Sequence, residues 1–283
     1  MISTIPRKLE FEAAEYTIDN QRNIPRSRHR LVSVIQVAAD VIRTDDVVST
    51  LSLDRADASK QLSRWTGQGW LRRVGRGLYV PATLASLESE HVLDDPWVLV
   101  PALYAPGYIG GRTAAEHWDL AEQIFRDIVV MTTRTVRERH QVRHGARFTL
   151  HHVPESRIFG TRTVWRGRSK IQVSDVHRTI VDMLDNPALG GGIRHVDDCL
   201  DAYLRRSDRN DDALIEYAEA LGNGAIFKRL GFLAEQRADS LAADCRTRLT
   251  KGNARLDTAL ECTRLATRWR LWVSESWARK VVP

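Results

Sequence analysis

The stretch RTDDVVSTLSLDRADASKQLSRWTGQGWLRRVGRGLYVP, residues 43–81, leaves few folds open to the first third of the chain. Thr44 with Asp45 and Asp46 is a helix-start composition, and Val47, Val48 and Leu51 supply the apolar face of about two turns. Residues 52–54 break that helix. Asp54 can cap the next one, in which Ala58, Leu62 and Trp65 recur on one face before Gly67 and Gly69 stop it. Residues 71–74 and 78–80 then flank Gly75-Arg76-Gly77, the pattern of two short strands around a glycine turn, and Pro81 ends the second because it donates no ladder hydrogen bond. Upstream, Pro25 suits a helix start, and Leu31, Val34, Ile35, Ala38 and Val41 come after it at helical spacing. Three helices followed by a basic hairpin predict a winged helix-turn-helix over residues 25–86, with its last helix in the major groove and its hairpin along the backbone.

The charges are arranged to match. With Ala58, Leu62 and Trp65 inward, Arg55, Ser59, Lys60, Ser63 and Arg64 face out, and Arg72, Arg73 and Arg76 decorate the hairpin. Cations of this kind neutralise phosphates, while serine and arginine near a helix start reach base edges. The plainer reading is a structural helical domain with a solvated basic face. Against it stands the distribution of charge: the net charge is only +6, but ten Lys/Arg face five acids between Arg26 and Arg76, and ten face two between Arg134 and Lys170.

At 283 residues and 43% apolar, the chain can hold two domains. Residues 1–24 read as an N-terminal arm with a brief alternation at Lys8-Leu9-Glu10-Phe11-Glu12, and residues 83–91 as a short linker helix. The remainder, 87–283, reads as a larger C-terminal domain, so the fold class is α+β. Asp94-Asp95-Pro96 opens a helix carrying Trp97, Val98, Leu99 and Leu103. The glycine pair in Tyr108-Ile-Gly-Gly-Arg-Thr-Ala-Ala-Glu-His-Trp lacks a phosphate-loop pattern and suits close packing of Ala114 and Ala115. Residues 128–131, 147–153, 161–165 and 169–173 propose an antiparallel sheet. Its basic loops carry a second cationic patch of Arg134, Arg137, Arg139, Arg143, Arg147, Arg162, Arg166 and Arg168. Helices are expected at 174–184, 196–206, 211–221, 225–236 and 256–265, and Trp269, Trp272 and Trp277 are expected to pin the tail to the body.

Cys199, Cys245 and Cys262 are odd in number and far apart, which suggests neither a disulfide framework nor a metal clip and fits a reducing cytoplasm. No apolar run reaches the length of a membrane span. His151 and His152 point to opposite faces of a strand and make a poor metal pair, while His117, His140 and His177 have no companion that sequence places within reach. No Cys/His pair or Ser/His/Asp order stands out, so no catalytic residue, metal or cofactor is expected. A DNA-targeted nuclease is one alternative, but it needs clustered carboxylates, and the basic sheet region holds only Glu138 and Glu155. A basic adaptor binding protein or RNA is another, with Trp165 and Phe148 as its only aromatics for stacking.

The segment ending Arg72-Arg73-Val74-Gly75-Arg76-Gly77-Leu78-Tyr79, the Tyr108 to Trp118 motif, Asp175-Val-His-Arg-Thr-Ile-Val-Asp182 and Phe227-Lys-Arg-Leu-Gly-Phe-Leu233, in that order, resemble the AbiEi antitoxin family. The resemblance implies a transcriptional autorepressor with an N-terminal winged helix and a C-terminal antitoxin domain, paired with a nucleotidyltransferase toxin. It implies operator DNA with repeats as the partner, contacted by Ser59, Lys60, Ser63 and Arg64 on the helix and by Arg72, Arg73 and Arg76 on the wing. The tryptophan-rich last fifth matches nothing in that family.

Overall fold

The computed structural model describes residues 26–82 and 95–278. The chain divides into two compact units, residues 1–87 and 88–283. The expected arm at 1–24 and linker helix at 83–91 lie outside the described residues.

The first unit holds α1 (Arg26–Val37), β1 (Ile42–Arg43), α2 (Thr44–Leu51), α3 (Arg55–Gly67), β2 (Leu71–Gly75) and β3 (Leu78–Pro81). Helix α1 ends sooner than its periodicity suggests, at Val37, and Ala38 and Val41 are buried from the connection beyond it. The two-residue β1 escapes sequence reading because its only regular partner is remote: Ile42 and Arg43 pair with Tyr79 and Leu78, giving an antiparallel sheet ordered β1-β3-β2. Leu31, Val34, Ile42, Val47, Leu62 and Trp65 close the core between helices and sheet.

The second unit is built on a six-stranded sheet ordered β6-β7-β5-β4-β9-β8. Its strands are β4 (Gly107–Ile109), β5 (Asp127–Thr132), β6 (His140–Arg143), β7 (Ala146–His152), β8 (Thr161–Arg166) and β9 (Ser169–Ser174). The antiparallel expectation is corrected here: β5 runs parallel to β7 and β4 parallel to β9, so the sheet is mixed. Strand β4 was missed because three residues carry no legible alternation, and β6 because its charged residues read as a loop. Where one long helix was expected after Asp95, a 3-10 turn at Pro96–Leu99 leads into a one-turn helix, α4 (Val100–Leu103).

The rest is helical: α5 (Gly111–His117), α6 (Val176–Asp185), α7 (Ile193–Leu204), α8 (Asp211–Leu221), α9 (Ala225–Ala234) and α10 (Asp239–Thr247). Close packing explains the glycine pair before α5, since a Cβ on Gly111, whose φ is 58°, would sit 2.5 Å from the Leu189 carbonyl oxygen. Ala114 and Ala115 are fully buried. The helix expected at 256–265 is absent. Asp257 is buried and its carboxylate accepts from the backbone N–H of Ile193, at the start of α7, and of Ala259, both at 2.9 Å, which holds the chain in turns. The C-terminal region forms a small sheet of β10 (Ala254–Arg255), β11 (Arg264–Ala266) and β12 (Leu271–Val273), then α11 (Glu275–Ala278). Trp269 and Trp277 are buried as expected, whereas Trp272 is 37% exposed. Trp269 lies so close to α9 that a Cβ on Gly231 would overlap its ring, and its indole N–H donates to Glu235 at 2.7 Å.

A buried ion pair fastens α6 to the sheet. The Arg178 guanidinium, 1% exposed, donates to Asp182 at 2.8 Å, to the Tyr108 hydroxyl at 3.1 Å and to the Arg157 carbonyl at 3.1 Å. The Tyr108 hydroxyl in turn donates to the other Asp182 oxygen at 2.9 Å. Burial pushes the Asp182 carboxyl up from its usual range, against the pull of the guanidinium. Arg178→Met, which strands that carboxyl, is expected to cost about 3–5 kcal/mol in urea unfolding, and adding Asp182→Leu to recover part of the loss. A double variant no more stable than the single one would contradict this account.

Candidate nucleic-acid interface

Helix α3 is positioned from both ends and from beneath. The Asp54 carboxylate accepts from the Asp57 N–H at 2.7 Å as its N-cap, and Gly69, at a φ of 73°, turns the chain after its last turn. Ala58, Leu62 and Trp65 are fully buried. Helical geometry then places Ser59, Lys60 and Ser63 on the outward face, flanked by Arg55 on one side and Arg64 on the other, and all five are exposed. Two of these cations already have acidic partners: Arg55 meets Asp45 at 2.7 Å and Lys60 meets Asp57 at 3.0 Å. The hydrogen bond and charge of Asp57 raise the Lys60 pKa. Such exposed pairs contribute little and give way readily to a competing anion. Ser59 donates to the Arg55 carbonyl at 2.8 Å, so its hydroxyl faces its own helix in this state.

The hairpin is anchored at its tip. Gly77, at a φ of 71°, carries the turn, and its carbonyl accepts the Thr44 N–H at 3.1 Å, tying the hairpin to the first residue of α2. A register shift between Arg73 and Gly75 bends β2. Arg73 and Arg76 are exposed, whereas Arg72 is half-buried, and adjacent strand residues point to opposite faces, so the three hairpin arginines do not form one surface. Among the described residues, no acid pairs with Arg64, Arg73 or Arg76. Arg28, one of the cations clustered at the start of α1 whose opposition to the helix dipole suits either phosphate contact or a solvated first turn, places its guanidinium 5.5 Å from the centre of the Trp70 ring.

In the second unit, seven of the eight arginines read as one patch fall on opposite borders of the sheet, and Arg134 follows the inner strand β5. Arg137, Arg139, Arg143 and Arg147 lie at the β6–β7 border, and Arg162, Arg166 and Arg168 on the β8–β9 hairpin, with β5 and β4 between them. Two are engaged internally. Arg134 donates to the carbonyls of Leu103 and Ala105, both at 2.9 Å. Arg166 stacks over Trp97 at 4.7 Å and approaches Asp95 at 3.9 Å. Phe148, a candidate for stacking, is buried.

This unit also has a cleft of about 1110 Å³ bordered by Trp97, His117, Phe125, Asp127 and Arg147. Its acids are partly neutralised, Asp127 by Arg112 at 3.6 Å and Asp95 by Arg166. Among the described residues, no group of three or more His, Cys, Asp or Glu is placed to hold a metal ion. The structure does assemble a Cys/His pair that sequence spacing did not single out: Cys199 Sγ lies 3.2 Å from His195 Nδ1. His177, likewise given no companion, bonds the Tyr203 hydroxyl at 2.8 Å. Burial pushes the Cys199 thiol up to about 12 and lowers the His195 pKa, so the pair is neutral and lacks a thiolate nucleophile.

Three helices and a tip-anchored basic hairpin make up the described part of the first unit. Residues 29–82 match the family described as "Transcriptional regulator, AbiEi antitoxin". Comparison of the chain with curated proteins gives no match. No helix among the described residues is long and apolar enough to cross a membrane.

Burial separates the cysteines by reactivity. Cys199 and Cys245 are buried with their thiols pushed up to about 12, while Cys262 is half-buried. An alkylating reagent at about pH 8 is expected to label Cys262 in the folded protein and the other two only in denaturant, read by mass spectrometry. Fast native labelling of Cys199 would contradict the neutral pair.

Proposed function

We propose that the first unit is a winged helix-turn-helix that represses its own operon by binding repeated operator DNA, and that the chain is the antitoxin of a nucleotidyltransferase toxin. The observation that carries the DNA reading is that Arg64, Arg73 and Arg76 are exposed on α3 and the anchored hairpin without acidic partners among the described residues. Unpaired cations on a rigid framework release counterions from a duplex at little cost to the protein. Ser59, Lys60 and Ser63, with Arg55 and Arg64 on either side, would read base edges, and Arg73 and Arg76 would hold the backbone, with Arg72 contributing less because it is half-buried. The match of residues 29–82 supports the regulator and antitoxin roles; autorepression and the toxin's chemistry rest on the wider resemblance. The exposed Arg137, Arg139, Arg143 and Arg147 would add a second phosphate-binding border.

Operator binding by the full chain is expected to weaken steeply as salt rises. Arg76→Ala should weaken all sequences alike and reduce the slope of log K against log salt by about 1, while Arg64→Ala should cost about 1–3 kcal/mol on the operator and relax its specificity. Fluorescence anisotropy with operator and scrambled duplexes checks this. Affinity that is indifferent to salt would refute duplex binding by this surface.

A further inference from the structure

The β8–β9 hairpin has features that phosphate binding does not explain. Strand β8 is the last strand of the six-stranded sheet, and among the described residues nothing pairs on its outer side. Its connection to β9 is the two-residue turn Gly167-Arg168, with Gly167 at a φ of 54°. A two-residue hairpin closes on a hydrogen-bonded pair, here Arg166 and Ser169, after which bonded and non-bonded pairs alternate. The N–H and C=O groups of Thr161, Thr163 and Trp165 therefore point away from β9, towards the open edge. Sheet edges in native proteins are commonly covered or blunted, because such a row of unpaired groups recruits another strand.

The side chains on that row are suited to a partner. Trp165 is 60% exposed, the most exposed tryptophan among the described residues. The Lys170 ammonium sits over its ring, 5.1 Å from the centre. Gln172 is fixed by hydrogen bonds with Thr161 at 3.2 Å and Thr163 at 2.9 Å. Residues 161–174 contain four cations and no acid, and Arg162 is exposed with no acidic partner among the described residues.

We propose that β8 is a docking edge for an extended acidic segment of a partner protein, which adds as a seventh strand and places carboxylates against Lys170, beside Trp165, on one face of the sheet or against Arg162 on the other. Strand addition supplies main-chain hydrogen bonds, and the aromatic anchor with its cationic surround supplies selectivity. A single-stranded nucleic acid stacking on Trp165 is the competing occupant. It is less favoured because a lone aromatic offers a platform to one base, whereas the outward main-chain groups of β8 match a strand. The proposal rests on the second unit alone and is independent of the operator reading.

The test uses the full chain and three fluorescent probes: an acetylated peptide of alternating glutamate and leucine, its lysine–leucine counterpart, and a twelve-nucleotide single strand. The acidic peptide is expected to bind at least about tenfold more tightly than the basic one. Trp165→Ala, and Thr163→Pro, which removes one outward N–H, should each weaken it by about tenfold or more with unfolding midpoints close to the parent's. The pair Arg162→Glu and Lys170→Glu should invert the preference between the peptides. Equal binding of both peptides, indifference to all these variants, or oligonucleotide binding that outcompetes the acidic peptide and is lost in Trp165→Ala would each overturn the proposal.

Discussion

Arg178 places a charged guanidinium out of contact with water, and the second unit is arranged around what that requires. A buried cation is tolerated only when its donors are filled, and here the acceptors come from β4 through Tyr108, from α6 through Asp182, and from the loop before β8 through the carbonyl of Arg157. One side chain thus ties a central strand, the first long helix of this unit and the approach to an edge strand. Phe159 packs on the face of the same guanidinium at 4.0 Å, so its planar surface is used as well as its rim. Arg229 obeys the same logic further along the chain, where its donors are taken by the carbonyls of Leu184, Asp185, Arg255 and Leu256, joining the end of α6 to the start of the small C-terminal sheet. Hydrophobic burial supplies the larger driving force, but it is indifferent to register. Filling these donors admits one alignment.

How much could be read from the residues depends on the range of the interactions involved. The apolar spacing and the Asp54 cap specify α3 locally, and α8 spans the expected 211–221 because Asn210 caps it and Gly222 ends it in the left-handed conformation. Strand order is another matter. That β5 lies parallel to β7, or that β4 separates β5 from β9, is decided by pairings between segments remote in sequence, and neither alternation nor turn residues encode it. The helix expected at 256–265 failed for a related reason: Leu256 and Leu260 have helical spacing, but the Asp257 carboxylate is claimed by the start of α7, 64 residues away in sequence. The Cys199–His195 contact is one turn apart on α7 and therefore visible in principle, yet its chemistry is determined by burial, which the sequence does not display.

Counting cations proved a coarser guide in the second unit than in the first. On α3 and the hairpin, the arginines selected from helical and strand spacing are mostly exposed, because the core of so small a unit cannot absorb them. In the larger unit an arginine in a basic stretch can equally serve as an internal fastener, as Arg134 does for the carbonyls of residues 103 and 105 and Arg166 does over Trp97. Charge density in the sequence reports where cations are, and the competition for their donors determines which remain available to a ligand.

That competition also separates the two borders of the six-stranded sheet. On the β6–β7 side the exposed arginines surround a strand whose outward residues are histidine, valine and arginine, and an aromatic anchor is lacking among the described residues there. Cations in that setting act through charge alone, which suits a phosphate backbone and gives little discrimination. On the β8–β9 side fewer cations are free, but they sit beside an exposed indole and, among the described residues, an open hydrogen-bonding edge. A surface that combines direction, shape and charge can select a particular partner segment. The same residue type, arginine, therefore carries different meanings at the two ends of one sheet, set by what each strand places next to it.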